Sequence, residues 1–176
     1  MSVLSPINLL AWINENRGAL KPPVGNKMIW RDRDFIVMIV GGPNARKDYH
    51  VNPTEELFYQ IEGDIVVKII ENGVKRDIPI RQGELFLLPP NIPHSPQRPA
   101  NTVGMVVERQ RPGGDHDHLR FYCDKCGEVV YEPEFDLKDI VAQLKQIMEM
   151  FWSDDNVGMR TCKKCGTVMS KPQPAA

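Results

Sequence analysis

From Phe35 to Arg109 the chain is a succession of short apolar runs, each cut off by residues that turn a backbone. Phe35–Val40 stops at Gly41-Gly42-Pro43, and Leu57–Ile61 stops at Glu62-Gly63-Asp64. Ile65–Ile70 enters Glu71-Asn72-Gly73 and returns as Val74–Ile80. Arg81-Gln82-Gly83 leads into Glu84–Leu88, and Val103–Arg109 closes the series. Asn-Gly between two such runs marks a two-residue hairpin, because both central residues need positive φ. No helical periodicity separates the runs, so the stretch predicts an antiparallel sandwich or barrel. Prolines gather at Pro22-Pro23, Pro89-Pro90, Pro93, Pro96 and Pro99. Proline cannot donate to a ladder, so these positions are expected in turns and at barrel rims. The expected fold class is mostly β.

Helices frame this region. Asn8–Asn16 predicts a short one, with Asn8 as cap and Gly18 as stop. After Pro112 the pattern changes. Leu137, Ile140, Val141, Leu144, Ile147, Met148 and Phe151 fall on one helical stripe. Asp136 is the expected cap there, and Asp139 suits the helix N-terminus. The chain therefore divides into a β-barrel, residues 1–112, and an extension, residues 113–176, packed on it rather than independent.

The 22 Lys and Arg against 23 Asp and Glu give a net charge of −1. That leaves no basic excess to hold nucleic acid or an anionic membrane. The apolar run Leu9–Ile13 is too short for a signal sequence or a membrane span, so a cytoplasmic protein is expected. In that setting Cys123, Cys126, Cys162 and Cys165, two C-x-x-C pairs with none left over, read as a tetrathiolate metal site rather than disulfides. Each pair is followed by glycine, Gly127 and Gly166, as in a metal knuckle.

Two further segments carry chemistry. One runs from His50 through Glu55 and Glu56 to Gly63, the other from Gly83 through Pro89 to His94. In these spacings the chain resembles the cupin superfamily, which implies an antiparallel jelly-roll barrel holding a metal. Many cupins have His-x-His in the first motif; here the second position is Asn52. The implied ligands are therefore His50, Glu56 and His94, with Glu55 the alternative carboxylate. Two imidazoles and one carboxylate leave coordination positions open, as in non-heme Fe(II) oxygenases. His116 and His118 could form another ligand pair but read as a solvated loop.

The stretches Lys21–Asn26, Gly41–His50, Pro93–Pro99 and Val107–Pro112, taken with the cysteine pairs, are similar to the bacterial 3-hydroxyanthranilate 3,4-dioxygenase family over nearly the whole chain. The resemblance implies an Fe(II) enzyme that opens the ring of 3-hydroxyanthranilate with O2. The product would be 2-amino-3-carboxymuconate 6-semialdehyde, leading to quinolinate for NAD biosynthesis or tryptophan catabolism. It implies that Arg98 holds the substrate carboxylate and that Arg46 flanks substrate or oxygen. Glu108 would take a proton from the amine or hydroxyl, and Asn26 would support bound substrate or oxygen. It also implies a rubredoxin-like iron, or zinc, at the four cysteines, and a homodimer. The rival readings are a cupin isomerase or epimerase, and a non-enzymatic metal- or ligand-sensing cupin.

Overall fold

The computed structural model describes residues 3–21, 25–30, 33–44, 46–111 and 113–173. The expected loop at Pro22 and Pro23, together with Ala45, Pro112 and the last residues of the Pro-rich tail, lies outside them. The strands are β1 (Asn26–Met28), β2 (Phe35–Gly41), β3 (Asp48–Val51), β4 (Glu56–Glu62), β5 (Ile65–Glu71), β6 (Val74–Ile80), β7 (Leu85–Leu88), β8 (His94–Gln97), β9 (Val103–Arg109), β10 (Asp117–Tyr122), β11 (Val129–Tyr131) and β12 (Glu134–Phe135). The helices are α1 (Leu9–Asn16) and α2 (Ile140–Trp152).

Two antiparallel sheets stack as a jelly roll. One has the order β1-β2-β9-β4-β7; the other has the order β11-β10-β3-β8-β5-β6, with β12 also on β10. Ile36, Met38 and Phe58 from the first sheet meet Ile65, Val67 and Ile69 from the second in one buried core, which Leu137 and Ile140 complete. Each such side chain contributes about 1.5–3 kcal/mol on leaving water. The β5–β6 hairpin turns at Asn72 (φ 51°) and Gly73 (φ 78°), the doubly positive geometry that Asn-Gly favours.

Several expectations need correction. The first helix does not stop at Gly18; the chain continues as a 3-10 turn, Arg17–Leu20, because Leu20 is drawn into a cluster with Ile13, Ile39 and Val103. Asp136 does not cap α2. Glu134–Phe135 is still paired with β10, so the chain stays extended and Asp139 becomes the cap, its side chain accepting from the amide of Ala142. Pro96 lies inside a strand, not in a turn. β8 pairs with β3 only at His94↔His50, so few donors are required beyond that point on this edge, while on the other edge Pro96 lies opposite Val67 of β5. His118 belongs to β10 rather than to a loop, and β10 pairs with β3. The sheet therefore continues past residue 112.

Candidate metal centre and substrate cavity

The site is assembled from two cross-strand pairs, one on each sheet. His50 on β3 opposes His94 on β8, and Glu56 on β4 opposes Glu108 on β9. All four are buried. The segment before His94 is fixed by Asn91, in the left-handed region at φ 62°, whose amide donates to the carbonyl of Asn52 at 2.8 Å. That bond ties the turn before His94 to the turn before Glu56.

One donor atom each from His50, Glu56 and His94 lies within 4.8 Å of the others. His94 Nε2 is 3.0 Å from Glu56 Oε2, and its Nδ1 lies 3.0 Å from the carbonyl of Ile92, which sets the ring. His50 Nε2 is 2.6 Å from Oδ2 of Asp117. Burial pushes the Glu56 carboxyl up, but the charge and hydrogen bond of His94 outweigh it and the pKa falls. Burial likewise opposes a charged His94, yet Glu56 raises its pKa. Two imidazoles around a carboxylate form a donor set that fits a divalent cation, which would compete with the proton that Glu56 favours on His94. Asn52 is not part of this group. Its Nδ2 sits 3.4 Å from Glu56 and 3.3 Å from Glu108, bridging the two carboxylates. Glu55 is exposed and lies outside the group.

Around this centre is a cavity of about 70 Å³. Its polar wall includes Asn26, Arg46, Arg98 and Glu108; its apolar wall includes Met38, Phe58 and Val106, with Ile140 and Leu144 of α2. The two arginines differ. Arg46 donates to buried Asp48, which holds its pKa up against the cost of burial. Arg98 is 3% exposed and donates to Gln60 Oε1 at 3.2 Å, with no carboxylate partner among the described residues. Burial lowers its pKa to about 10. Such a charge is costly unless an anion meets it. Burial, and then the nearby charge of Glu56, raise the pKa of Glu108. Glu108 Oε1 and Asn26 Oδ1 are buried with no hydrogen-bond partner among the described residues.

The four cysteines form a second group. Cys123 Sγ is 3.6 Å from Cys165 Sγ, and Cys126 Sγ is 3.6 Å from Cys162 Sγ. Tetrahedral metal–sulfur bonds of about 2.3 Å put sulfurs roughly 3.8 Å apart, so the spacing fits one ion. The two turns have the same build. The amides of Gly127 (φ 72°) and Gly166 (φ 74°) donate to the carbonyls of Cys123 and Cys162. Cys165 is drawn down to about 6, first by its hydrogen bond to the Thr167 hydroxyl, which favours the ligating thiolate.

The structure thus gathers Asn26, Arg46, His50, Glu56, His94, Arg98 and Glu108 around one cavity, and the cysteines into one cluster. His116 and His118 are in neither metal-holding group; they pair with Glu134 and Glu132 on the surface. Asp117, Arg111 and Gln60 bear on the site and were not anticipated. The first had a readable signal: Asp117, Leu119 and Phe121 alternate as the buried face of β10.

A jelly roll carrying two histidines and a glutamate that can hold one metal ion defines the class. A family description of 3-hydroxyanthranilic acid dioxygenases matches residues 1–152. The chain belongs to that family and is a dioxygenase. It is 49% identical to the 3-hydroxyanthranilate 3,4-dioxygenase of Xanthomonas euvesicatoria over 97% of this chain and 96% of that one. It is 50% identical to the enzyme of the same name from Lodderomyces elongisporus over 99% of both. Among solved structures, a cupin-2 domain protein from Shewanella frigidimarina aligns at TM-score 0.46 and 18% identity over 55% of this chain and 91% of that one. No helix is long and apolar enough to cross a membrane among the described residues.

Proposed function

We propose that the protein cleaves the ring of 3-hydroxyanthranilate with O2, using Fe(II) held by His50, Glu56 and His94, and yields 2-amino-3-carboxymuconate 6-semialdehyde. The observation that carries this reading is the pairing, in one cavity, of a buried guanidinium that no carboxylate meets in a salt bridge with a buried carboxylate oxygen that has no hydrogen-bond partner, both among the described residues. The substrate has the complementary groups: a carboxylate on one carbon, and amine and hydroxyl donors on the next two.

Fe(II), when bound, supplies the redox chemistry that lets O2 react with the ring, and offers open positions to substrate and oxygen. The side chains do the rest. Arg98 receives the carboxylate with two parallel N–H donors. Glu108 Oε1 would accept from the amine or hydroxyl and would take up the hydroxyl proton. Its raised pKa, caused first by burial, suits a general base. Arg46 lies at the same wall and favours negative charge developing there, and Asn26 Oδ1 offers a further acceptor. Met38, Phe58, Val106, Ile140 and Leu144 pack the ring and exclude water. Both oxygen atoms enter the product, so no external electrons are needed. The four cysteines then hold iron or zinc in a structural role. The same reading places the enzyme in the cytoplasm as a homodimer, feeding quinolinate to NAD biosynthesis or tryptophan catabolism.

The test is to load the protein anaerobically with Fe(II), add 3-hydroxyanthranilate, admit air, and follow O2 uptake with product identification. One O2 consumed per semialdehyde formed is the expected result. Iron-loaded protein that takes up no O2 rejects the reading and returns the isomerase and sensor alternatives.

A further inference from the structure

The contacts of His50 lead to a residue that none of the site roles above includes. Its partner Asp117 is fully buried, and it is gripped from the far side by Arg111. The Nε of Arg111 reaches Asp117 Oδ1 at 2.5 Å, and Nη2 reaches Asp117 Oδ2 at 2.6 Å. Nη2 also lies 2.7 Å from Glu108 Oε2. Nη1 donates to the Thr54 hydroxyl at 3.1 Å and to the carbonyl of Arg109 at 2.5 Å. All five N–H donors of the guanidinium are therefore used. The side chain is 2% exposed, and the carboxylates it touches are those of Asp117 and Glu108.

We propose that Arg111 is a positioning residue for both halves of the site. Through Asp117 it fixes the ring of His50 for the metal; through Oε2 of Glu108 it leaves Oε1 free for the substrate. This rests on the metal and substrate roles given above to His50 and Glu108. A ligating imidazole commonly donates its other N–H to a carboxylate, which sets ring orientation and basicity; losing such a partner weakens metal binding about 10- to 100-fold. Here that carboxylate has no freedom of its own, because a bidentate fork holds both its oxygens. The same fork occupies one oxygen of Glu108, and the other is the orphan. Lysine carries the charge but has no planar fork, so it can neither hold both oxygens of Asp117 nor reach Glu108 at the same time.

The experiment compares wild type, D117N, R111K and R111M. Fe(II) affinity is measured anaerobically by chelator competition, with the ion at the four cysteines as an internal standard. KM for 3-hydroxyanthranilate is then measured at saturating Fe(II). D117N should bind Fe(II) about 10- to 100-fold more weakly with KM nearly unchanged. R111K and R111M should show the same loss and, in addition, a KM raised about tenfold or more. The cysteine-bound ion should stay in every variant, which a general loss of packing would not allow. If R111M does not fold, R111K decides. Wild-type Fe(II) affinity in folded R111K overturns the proposal, and an unchanged KM overturns its Glu108 half. Wild type that binds Fe(II) but leaves 3-hydroxyanthranilate intact would instead refute the dioxygenase reading, while the Fe(II) arm would still judge Arg111.

Discussion

Replacing Arg98 with methionine should lower kcat/KM for 3-hydroxyanthranilate by about 10²- to 10⁴-fold and leave the metal content unchanged. The magnitude follows from stranding a substrate carboxylate in an apolar cavity, where truncating one partner of a buried charge pair costs about 3–5 kcal/mol. The loss should fall mainly on KM, since the carboxylate is bound throughout the reaction. The apo protein should not lose stability, and its Tm should rise. At pH 7 the guanidinium is protonated in both folded and unfolded chains, so the unfavourable transfer of that charge to the interior is fully present. The lowered folded pKa of about 10 expresses this penalty, which would be relieved only as pH rises above that value. Methionine removes the charge and keeps much of the volume. Steady-state kinetics, metal analysis and thermal melting check the three parts. A variant that loses its iron would mean that Arg98 supports the metal and not the substrate.

The second large effect is expected at the four cysteines. Cys123 and Cys162 are buried, and each begins one of the two matching turns. Serine at either position should remove one metal per chain. Structural tetrathiolate sites contribute about 10–16 kcal/mol of metal binding to folding, so the C-terminal extension should melt far below the rest. Its remaining anchor is the cluster of Leu119, Phe121, Phe151 and Met169, in which the Phe121 and Phe151 rings stack 3.9 Å apart. The effect reaches the catalytic cavity through two links. Cys123 follows β10, which carries Asp117, and Lys47 beside Arg46 donates to Asp124 at 2.8 Å. At temperatures where the variant is folded, kcat per iron at the proposed catalytic site should stay within a few-fold of wild type, because the proposed reaction draws no electrons from elsewhere. A fall of orders of magnitude in that ratio would assign the cysteine site a redox role.

How far the sequence alone carries the reader varies from element to element. The short runs between Phe35 and Arg109 specified their strands because Gly, Pro and Asn-Gly bound each one. β3 and β8 were not visible: each has only four residues, and they combine candidate ligands with a proline, so no alternation survives. The three residues that the structure gathers into one metal-holding group were legible as candidates through fixed spacing to Gly63, Gly83 and Pro89. Arg98 and Glu108 were legible only through family likeness, since a charged residue in a chain with 26% charged residues carries no mark of burial. Arg111 and Gln60 gave no signal at all, because their importance lies in what they touch across the fold. Asp117 was readable as the first member of the Asp117, Leu119 and Phe121 alternation, although a charged residue is not an expected member of a buried face.

The most direct measurement is anomalous diffraction at the iron edge from a crystal grown without oxygen and soaked with Fe(II) and 3-hydroxyanthranilate. One iron should be bonded to His50, Glu56 and His94, with the substrate's amine and hydroxyl as further ligands and its carboxylate on Arg98. No iron at that position, or a fourth protein side chain completing its coordination, would contradict the account.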